Sequence, residues 1–187
     1  MTSPTRLLHG ERIHLTALRS NDLPSLATWE QDTRFLRLYD ARPAHPRSPD
    51  ELAEWLRDRR GDSNTFTFGI RLLNDEKLLG TVELDEIIWP HGVCGLAIAI
   101  GERANWGEGY GYEATQLALA FAFDELNLHR VTATVFAYNE RSIHLVEKAG
   151  LRREGAFREF LERDGARHDM LLYGLLRPEW KAAQRGE

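Results

Sequence analysis

Three glycines spaced two residues apart constrain this chain more than any other feature of its sequence. Gly107, Gly109 and Gly111 lie between an uninterrupted apolar run, VCGLAIAI at 93–100, and a run of helical periodicity, EATQLALAFAFDEL at 113–126. We expect a buried strand, a glycine turn and an amphipathic helix in that order. Because glycine tolerates positive φ and permits close approach of the backbone, such a turn can present several N–H groups to an anion. A flexible turn with no ligand is the alternative that the glycines alone leave open.

The register of these glycines excludes two common phosphate-binding loops. A P-loop continues from its last glycine into Lys and then Ser or Thr, and neither follows in that register here. A dinucleotide fingerprint requires a third glycine at the position of Tyr112. The remaining interpretation is a cradle of backbone amides without a metal ligand, which suits a pyrophosphate that is held but not cleaved. Such a ligand is a cofactor whose reactive group lies at its other end.

The rest of the chain alternates between strand and helix patterns. Alternating or β-branched runs predict strands over 12–18, 65–73, 77–88, 93–100, 129–138, 151–161 and 167–176. Hairpin turns are predicted at 74–75 and 164–165, because Asn-Asp and Asp-Gly are turn dipeptides.

Helix signals complete the predicted element order. Ser20 or Asn21 is expected to cap a helix running towards Glu30, and a capping box opens another helix at SPDE, residues 48–51. Further helices are predicted over 113–126 and over 140–149, where a glycine follows, and the chain is expected to fray beyond Trp180. This order predicts one α/β domain of mixed α+β type. Its central, twisted and mainly antiparallel sheet is flanked by helices, unlike a doubly wound parallel sheet.

Charge and cysteine content exclude several classes of function. The chain has 24 basic and 29 acidic residues and a formal net charge of −5, which argues against a nucleic-acid or anionic-membrane partner. No apolar run approaches the roughly 18 residues of a membrane span, and the first residues lack the apolar region of a signal peptide. The single cysteine, Cys94, excludes an internal disulfide framework and suits a reducing cytoplasm. Its apolar surroundings predict a small buried side chain and not a nucleophile.

Four segments in this order resemble the GNAT superfamily of N-acetyltransferases. They are LLGTVELDEI at 78–87, GYGYEA at 109–114, the N-x-x-S of Asn139 and Ser142, and EKAGLRREGAFRE at 147–159. The family binds the pyrophosphate of acetyl-coenzyme A on a [QR]-x-x-G-x-[GA] turn, where this chain has Trp106 in place of the usual Arg or Gln. The last segment is similar to the ribosomal-protein-alanine acetyltransferases of the RimJ/RimL type and to the related spermidine acetyltransferases. The resemblance extends over about residues 12–180.

The resemblance implies an acetyl-CoA-dependent enzyme that moves an acetyl group directly to a primary amine. It implies a single domain over residues 1–187 with its core at about 12–180, a cytoplasmic location and no metal. The residues that it assigns to the cofactor are Ile98, Ile100, Trp106, Gly107, Glu108, Gly109, Tyr110, Gly111, Asn139 and Ser142. The backbone of Ile98 and Ile100 is expected to pair with the pantetheine amides, because relatives splay this strand away from its neighbour.

Three residues are candidates for catalysis: Ser142, Glu83 and Asn139. Relatives carry a Tyr near the thiol at the position of Val146, so Ser142 is the nearest polar replacement; its alternative role is in the first turn of a helix. Asn139 can bind a pantetheine amide or cap that same helix. Glu83 lies on the strand entering the site and can accept the amine proton through water or attract a cation, unless it belongs to a solvated strand face.

The acceptor amine is the least determined part of the prediction. A peptide or protein N-terminus is preferred, because no pattern of carboxylates matches the spaced charges of a polyamine. A polyamine or another small amine is the alternative within the class, and a non-catalytic CoA-binding module is the alternative outside it. His91, His129 and His144 have no metal-ligand spacing and are assigned structural or surface roles. A homodimer is left open.

Overall fold

The computed structural model describes residues 7–186. Its strands are β1 (Ile13–Ala17), β2 (Phe66–Leu72), β3 (Leu78–Ile88), β4 (Val93–Ile100), β5 (Arg130–Phe136), β6 (Arg152–Arg163) and β7 (Ala166–Leu176). Its helices are α1 (Leu23–Glu30), α2 (Thr33–Tyr39), α3 (Pro49–Gly61), α4 (Tyr110–Ala120), α5 (Glu140–Lys148) and α6 (Arg177–Arg185). A π-helical turn, Phe121–Glu125, continues α4.

All seven strands belong to one sheet in the order β1-β2-β3-β4-β5-β7-β6. Every neighbouring pair is antiparallel except β4 and β5, which are parallel. The pairing of β4 with β5 ends at Gly95 and Thr132, although β4 continues to Ile100 and β5 to Phe136. The predicted mixed, mainly antiparallel architecture is therefore confirmed, and the sheet opens into a wedge between its two parallel strands.

Apolar side chains fill both faces of the sheet. One core cluster includes Leu96 of β4, Ala118 of α4 and Val146 of α5. A second cluster includes Ala99 of β4 together with Leu26 of α1 and Leu52 of α3. Because Leu96 and Ala99 are three residues apart on one strand, they point to opposite faces. The sheet is thus a middle layer, with α4 and α5 on one side and α1–α3 on the other.

Local signals placed several element ends correctly. Ser48 and Glu51 form the predicted capping box of α3, with Glu51 N donating to Ser48 Oγ at 3.3 Å and Ser48 N donating to Glu51 Oε2 at 2.7 Å. Asp164 and Gly165 have φ values of 53° and 76°, as a two-residue type I′ hairpin turn requires. The hairpin at 74–75 also forms, because β2 and β3 pair on either side of it.

Two predictions of element ends were wrong, and one helix was missed. The first helix begins at Leu23, since Ser20–Asp22 form a separate 3₁₀ turn. The chain does not fray beyond Trp180: α6 continues to Arg185, because the Trp180 side chain is buried and Lys181 pairs with Asp124. The short helix α2 was not predicted at all. Among residues 7–186, no helix is both long and apolar enough to cross a membrane.

Candidate active site

The wedge between β4 and β5 leaves backbone groups of β4 without a neighbouring strand. Gly101 N, just after the strand, donates to Leu79 O of β3 at 2.9 Å. Because backbone groups alternate along a strand, Ala99 also faces β3, whereas Ile98 and Ile100 direct their N–H and C=O groups into the wedge. This is the arrangement expected for strand positions that hold an extended amide-bearing ligand.

Trp106 forms a hydrogen bond with one of these backbone groups. Its indole Nε1 donates to Ile100 O at 2.7 Å, and its ring packs against the core under α1–α3. The N–H of Ile100 and both backbone polar groups of Ile98 stay directed into the wedge. Trp106 therefore orders the end of β4. Because the indole N–H is the only donor of its side chain, that side chain has no donor left for a ligand.

The glycine turn has the backbone conformation that its sequence predicts. Gly107 and Gly109 have φ values of 84° and 86°, which side-chain-bearing residues rarely adopt. Gly109 is the N-cap of α4, so the amides of Tyr110, Gly111 and Tyr112 have no acceptor within the helix. A Cβ added at Gly111 would lie 3.0 Å from Leu145 Cδ1 of α5. The turn thus brings free amides and the positive end of a helix dipole to one place, which fits a pyrophosphate.

Arg12 holds this turn from behind. Its Nη1 donates to Glu108 O at 2.9 Å, its Nε lies 3.2 Å from Glu113 Oε2, and its guanidinium lies 4.9 Å from the centroid of the Tyr110 ring. Glu108 and Tyr110 therefore belong to the turn and its support, and neither lines the cleft described next. Of the ten residues predicted to bind the cofactor, the other eight line that cleft.

A cleft of about 500 Å³ connects the glycine turn, the wedge, α5 and α2. Several of its residues were not predicted from the sequence. They are Phe35, Leu38 and Tyr39 of α2, and Arg141, His144, Leu145 and Lys148 of α5. The four α5 residues share a helix face, because His144, Leu145 and Lys148 follow Arg141 by three, four and seven positions, and that spacing was the available signal. His144, predicted to be structural or at the surface, is exposed and lines the cleft.

Asn139 and Ser142 meet at the first turn of α5. Asn139 Oδ1 accepts from Ser142 N at 3.3 Å, so Asn139 caps the helix, and both residues line the cleft. The cap uses only the oxygen of Asn139, and its amide NH₂ carries two further donors. Val146, one turn beyond Ser142, is 4% exposed and belongs to the core. Ser142 is consequently the hydroxyl that this helix presents to the cleft.

Glu83 is not brought to the cleft surface with the other two catalytic candidates. It lies on the β3 face covered by α1–α3, is 3% exposed, and its Oε2 is 3.4 Å from Arg59 Nη2. Its Oε1 has no hydrogen-bond partner among the described residues. Burial raises the pKa of Glu83, and the nearby Arg59 charge opposes that rise. The solvated-face alternative is therefore excluded.

Tyr39 is a residue of the cleft wall whose hydroxyl is electrostatically coupled to Glu83. It lines the cleft, and burial together with the negative charge of Glu83 raises the pKa of its hydroxyl. Tyr39 therefore stays a neutral hydrogen-bond donor at neutral pH.

Cys94 is 1% exposed, and burial, followed by the charge of Asp85, raises its pKa to about 12. A thiol in that state is a poor nucleophile, as the sequence predicted. Among the described residues, no three or more His, Cys, Asp or Glu side chains cluster in a way that could hold a metal ion.

An amide cradle at a helix N-terminus, joined by a cleft to a splayed parallel strand pair, suits an acyltransferase that binds a nucleotide-linked thioester. The chain belongs to the acetyltransferase (GNAT) domain family, whose sequence profile matches residues 12–152. It is an N-acetyltransferase of that family, and acetyl-CoA is the acetyl donor that membership implies.

Sequence and structure comparisons agree with this assignment. The chain is 30% identical to the SPbeta prophage-derived N-acetyltransferase YokL of Bacillus subtilis, over 92% of this chain and 94% of that protein. It is 23% identical to the ribosomal protein uS5-alanine N-acetyltransferase of Escherichia coli, over 95% and 94% of the two chains. The structure of spermidine N-acetyltransferase from Vibrio cholerae, in complex with CoA and spermine, matches with a TM-score of 0.83. That match is 26% identical and covers 92% of this chain and 99% of the other.

Proposed function

We propose that this enzyme acetylates the N-terminal amine of a peptide or protein. One observation carries the proposal: five carboxylates around α1–α3 and the β6–β7 hairpin, which we call the acceptor side of the sheet, are already paired with arginines. Glu30 pairs with Arg47, Asp32 with Arg103, Asp40 with Arg42, Glu83 with Arg59, and Asp164 of the β6–β7 hairpin with Arg37. Each of these carboxylates has therefore acquired a positive partner from the chain itself.

This pairing bears on which amine is accepted. A polyamine carries several ammonium groups, and a site for it needs at least two carboxylates that are free to meet them. To bind at a paired carboxylate, an ammonium group must compete with the arginine that already contacts it. At Glu30, which is 4% exposed, this competition would disrupt a buried ion pair, which is costly. A peptide N-terminus has one ammonium group followed by amides, so one carboxylate and an apolar wall are sufficient. Phe35, Leu38 and Tyr39 supply such a wall.

The residues of the cleft have separate roles in the proposed transfer. Acetyl-CoA supplies the acetyl group as a thioester. The free N–H groups of β4 at Ile98 and Ile100 donate to pantetheine or to the oxygen that becomes negative when the amine attacks. Asn139 donates its NH₂ to a pantetheine amide, and the Ser142 hydroxyl donates a hydrogen bond to the departing thiolate, which takes its proton from water. An alkyl thiol has a pKa of about 8.5, so this last step needs only modest help.

Glu83 is the proposed acceptor of the amine proton. Its raised pKa makes it a stronger base than an exposed carboxylate, which favours proton transfer near neutral pH. Because Glu83 does not line the cleft, the proton reaches it through water or through the hydroxyl of Tyr39.

Acetylation of a polyamine is the second candidate, because the Vibrio cholerae structure is that of a spermidine N-acetyltransferase. Competition separates the two. Spermidine and short peptides starting with Ala or Ser are supplied together at equal concentration with acetyl-CoA, and the acetylated products are quantified by mass spectrometry. We expect the peptides to be acetylated in preference. Preferred acetylation of spermidine would overturn the ranking, and turnover of neither would point to another small amine. The homodimer stays a prediction, which light scattering on the same preparation tests.

A further inference from the structure

Arg141 has an unusual position beside the glycine turn. Its guanidinium carbon lies 4.3 Å from the centroid of the Trp106 ring, and its side chain lines the cleft. Within residues 7–186 this ring contact is its interaction with the protein: it makes no ion pair with a carboxylate there. A charge that the chain leaves unpaired on the wall of a ligand cleft is available to the ligand.

The residue at position 106 gives a reason for a free positive charge beside the glycine turn. At this position the family motif has Arg or Gln, whose side chains can donate to an anion, whereas the indole N–H of Trp106 is bonded to Ile100 O. The chain has thus lost a polar side chain directly before the glycine turn. The same tryptophan ring carries a guanidinium that comes from another helix.

The geometry of the stacked pair leaves the donors of Arg141 free. A guanidinium above an aromatic face is held by cation–π attraction and stacking, while its N–H groups point outward in its own plane. Such a planar fork matches the paired oxygens of a phosphate. The ring therefore limits the motion of an exposed, flexible side chain without using any of its hydrogen bonds.

Building on the proposed use of acetyl-CoA, we propose that Arg141, positioned by the face of Trp106, binds the pyrophosphate of the coenzyme in place of the missing motif side chain. The assignment is to the pyrophosphate and not to the 3′-phosphate, because Trp106 immediately precedes Gly107 and the amides of the turn. Amides and guanidinium then approach the same anion from the turn and from α5.

The test measures binding of three ligands by isothermal titration calorimetry. CoA has both phosphate groups, dephospho-CoA has only the pyrophosphate, and pantetheine has neither. We expect Arg141→Gln to raise the Kd of CoA and of dephospho-CoA by the same factor of tenfold or more, about 1.4 kcal/mol, and to leave the Kd of pantetheine unchanged. Arg57→Gln is the matched control, because Arg57 is also an exposed arginine and its loss changes the net charge equally.

Further variants examine the role of the ring. Arg141→Lys keeps the charge but not the planar fork, and we expect it to recover only part of the lost affinity. In a double-mutant cycle with Trp106→Leu, the two losses should be smaller together than the sum of the single losses. Additive losses would contradict positioning by the ring.

The other outcomes are equally decisive. Equal Kd values for Arg141→Gln and Arg57→Gln would overturn the inference while leaving the proposed function intact. A loss for CoA that disappears with dephospho-CoA would transfer the contact to the 3′-phosphate and refute the pyrophosphate assignment. Absence of CoA binding by the unmodified protein would instead contradict the proposed function itself.

Discussion

Replacement of Gly109 by valine tests whether the glycine turn binds phosphate through its backbone. Gly109 has φ = 86°, where an ordinary side chain costs roughly 1–2 kcal/mol and a β-branched one more. A Cβ there would lie 3.0 Å from Arg12 Nη2, and the same guanidinium holds Glu108 O at 2.9 Å. The variant can therefore relieve its strain by moving the turn, and any such movement misdirects the amides.

The size of the effect follows from the bonds that are lost. A hydrogen bond to a charged group contributes roughly 1.5–3 kcal/mol, so losing one amide–phosphate bond lowers affinity about ten- to a hundredfold. We expect Gly109→Val to raise the Kd of CoA by at least about tenfold. Calorimetric titration measures that Kd, and thermal denaturation shows whether the variant is folded.

Gly165→Val is the matched control for backbone strain. Gly165 has φ = 76° with no atom within 4 Å of an added Cβ, and it lies in the β6–β7 hairpin turn. It should lose comparable stability but bind CoA within twofold of the unmodified protein. The cradle would be refuted by a folded Gly109→Val protein that binds CoA as tightly as this control.

Two further predictions concern the chemistry. Ser142→Ala should lower kcat roughly ten- to a thousandfold with little change in the KM for acetyl-CoA, because the hydroxyl is proposed to act on the departing thiol; steady-state kinetics with both constants within twofold would make Ser142 structural. Glu83→Gln should lower kcat/KM and abolish the fall of kcat/KM towards acidic pH in the pH–rate profile. Because burial raises the pKa of Glu83 in the folded protein, the charged form destabilises the fold: the stabilisation from protonation is complete below the ordinary carboxyl pKa of about 4.3 and is lost as pH rises through the raised value. In urea unfolding, Glu83→Gln should match the unmodified protein near pH 4 and exceed its free energy of unfolding at pH 8, and a lower value at pH 8 would contradict this reasoning.

The sequence predicted the half of the cleft formed by the glycine turn, β4 and α5, because its signals are local. The strand at 93–100, the positive φ of Gly107 and Gly109, and the cap of α5 by Asn139 each depend on a few adjacent residues. Backbone donors also need no particular side chain, so the loss of Arg or Gln at Trp106 left the turn recognisable.

The other half, around α2 and Glu83, was not predictable in the same way, since it depends on distant partners. The seven residues of α2 are too few for a stable isolated helix, and burial of Phe35 and Leu36 holds it in place. Alternation along β3 assigns Glu83 to one face of the strand, but no local pattern indicates that Arg59 of α3 reaches Glu83. For the same reason, the stacking of Arg141 on Trp106 is visible only once the two elements are packed together.

These two halves of the cleft also differ in how easily their contacts can be exchanged without loss of stability. The hairpin is joined to the loop after α2 by Arg163, whose Nη2 donates to Ala41 O at 3.0 Å and Arg42 O at 3.1 Å, and by the Arg37–Asp164 ion pair. Exchanging such surface pairs costs little stability, because exposed ion pairs contribute only about 0–1 kcal/mol. Altering the glycine turn would instead remove the proposed pyrophosphate site. Under the proposed function, re-pairing carboxylates around α2 would therefore change which amine is accepted, while the turn, β4 and α5 keep their proposed contacts with the coenzyme. The proposed function thus assigns the choice of amine to the charge pairing of this wall and the binding of acetyl-CoA to backbone groups.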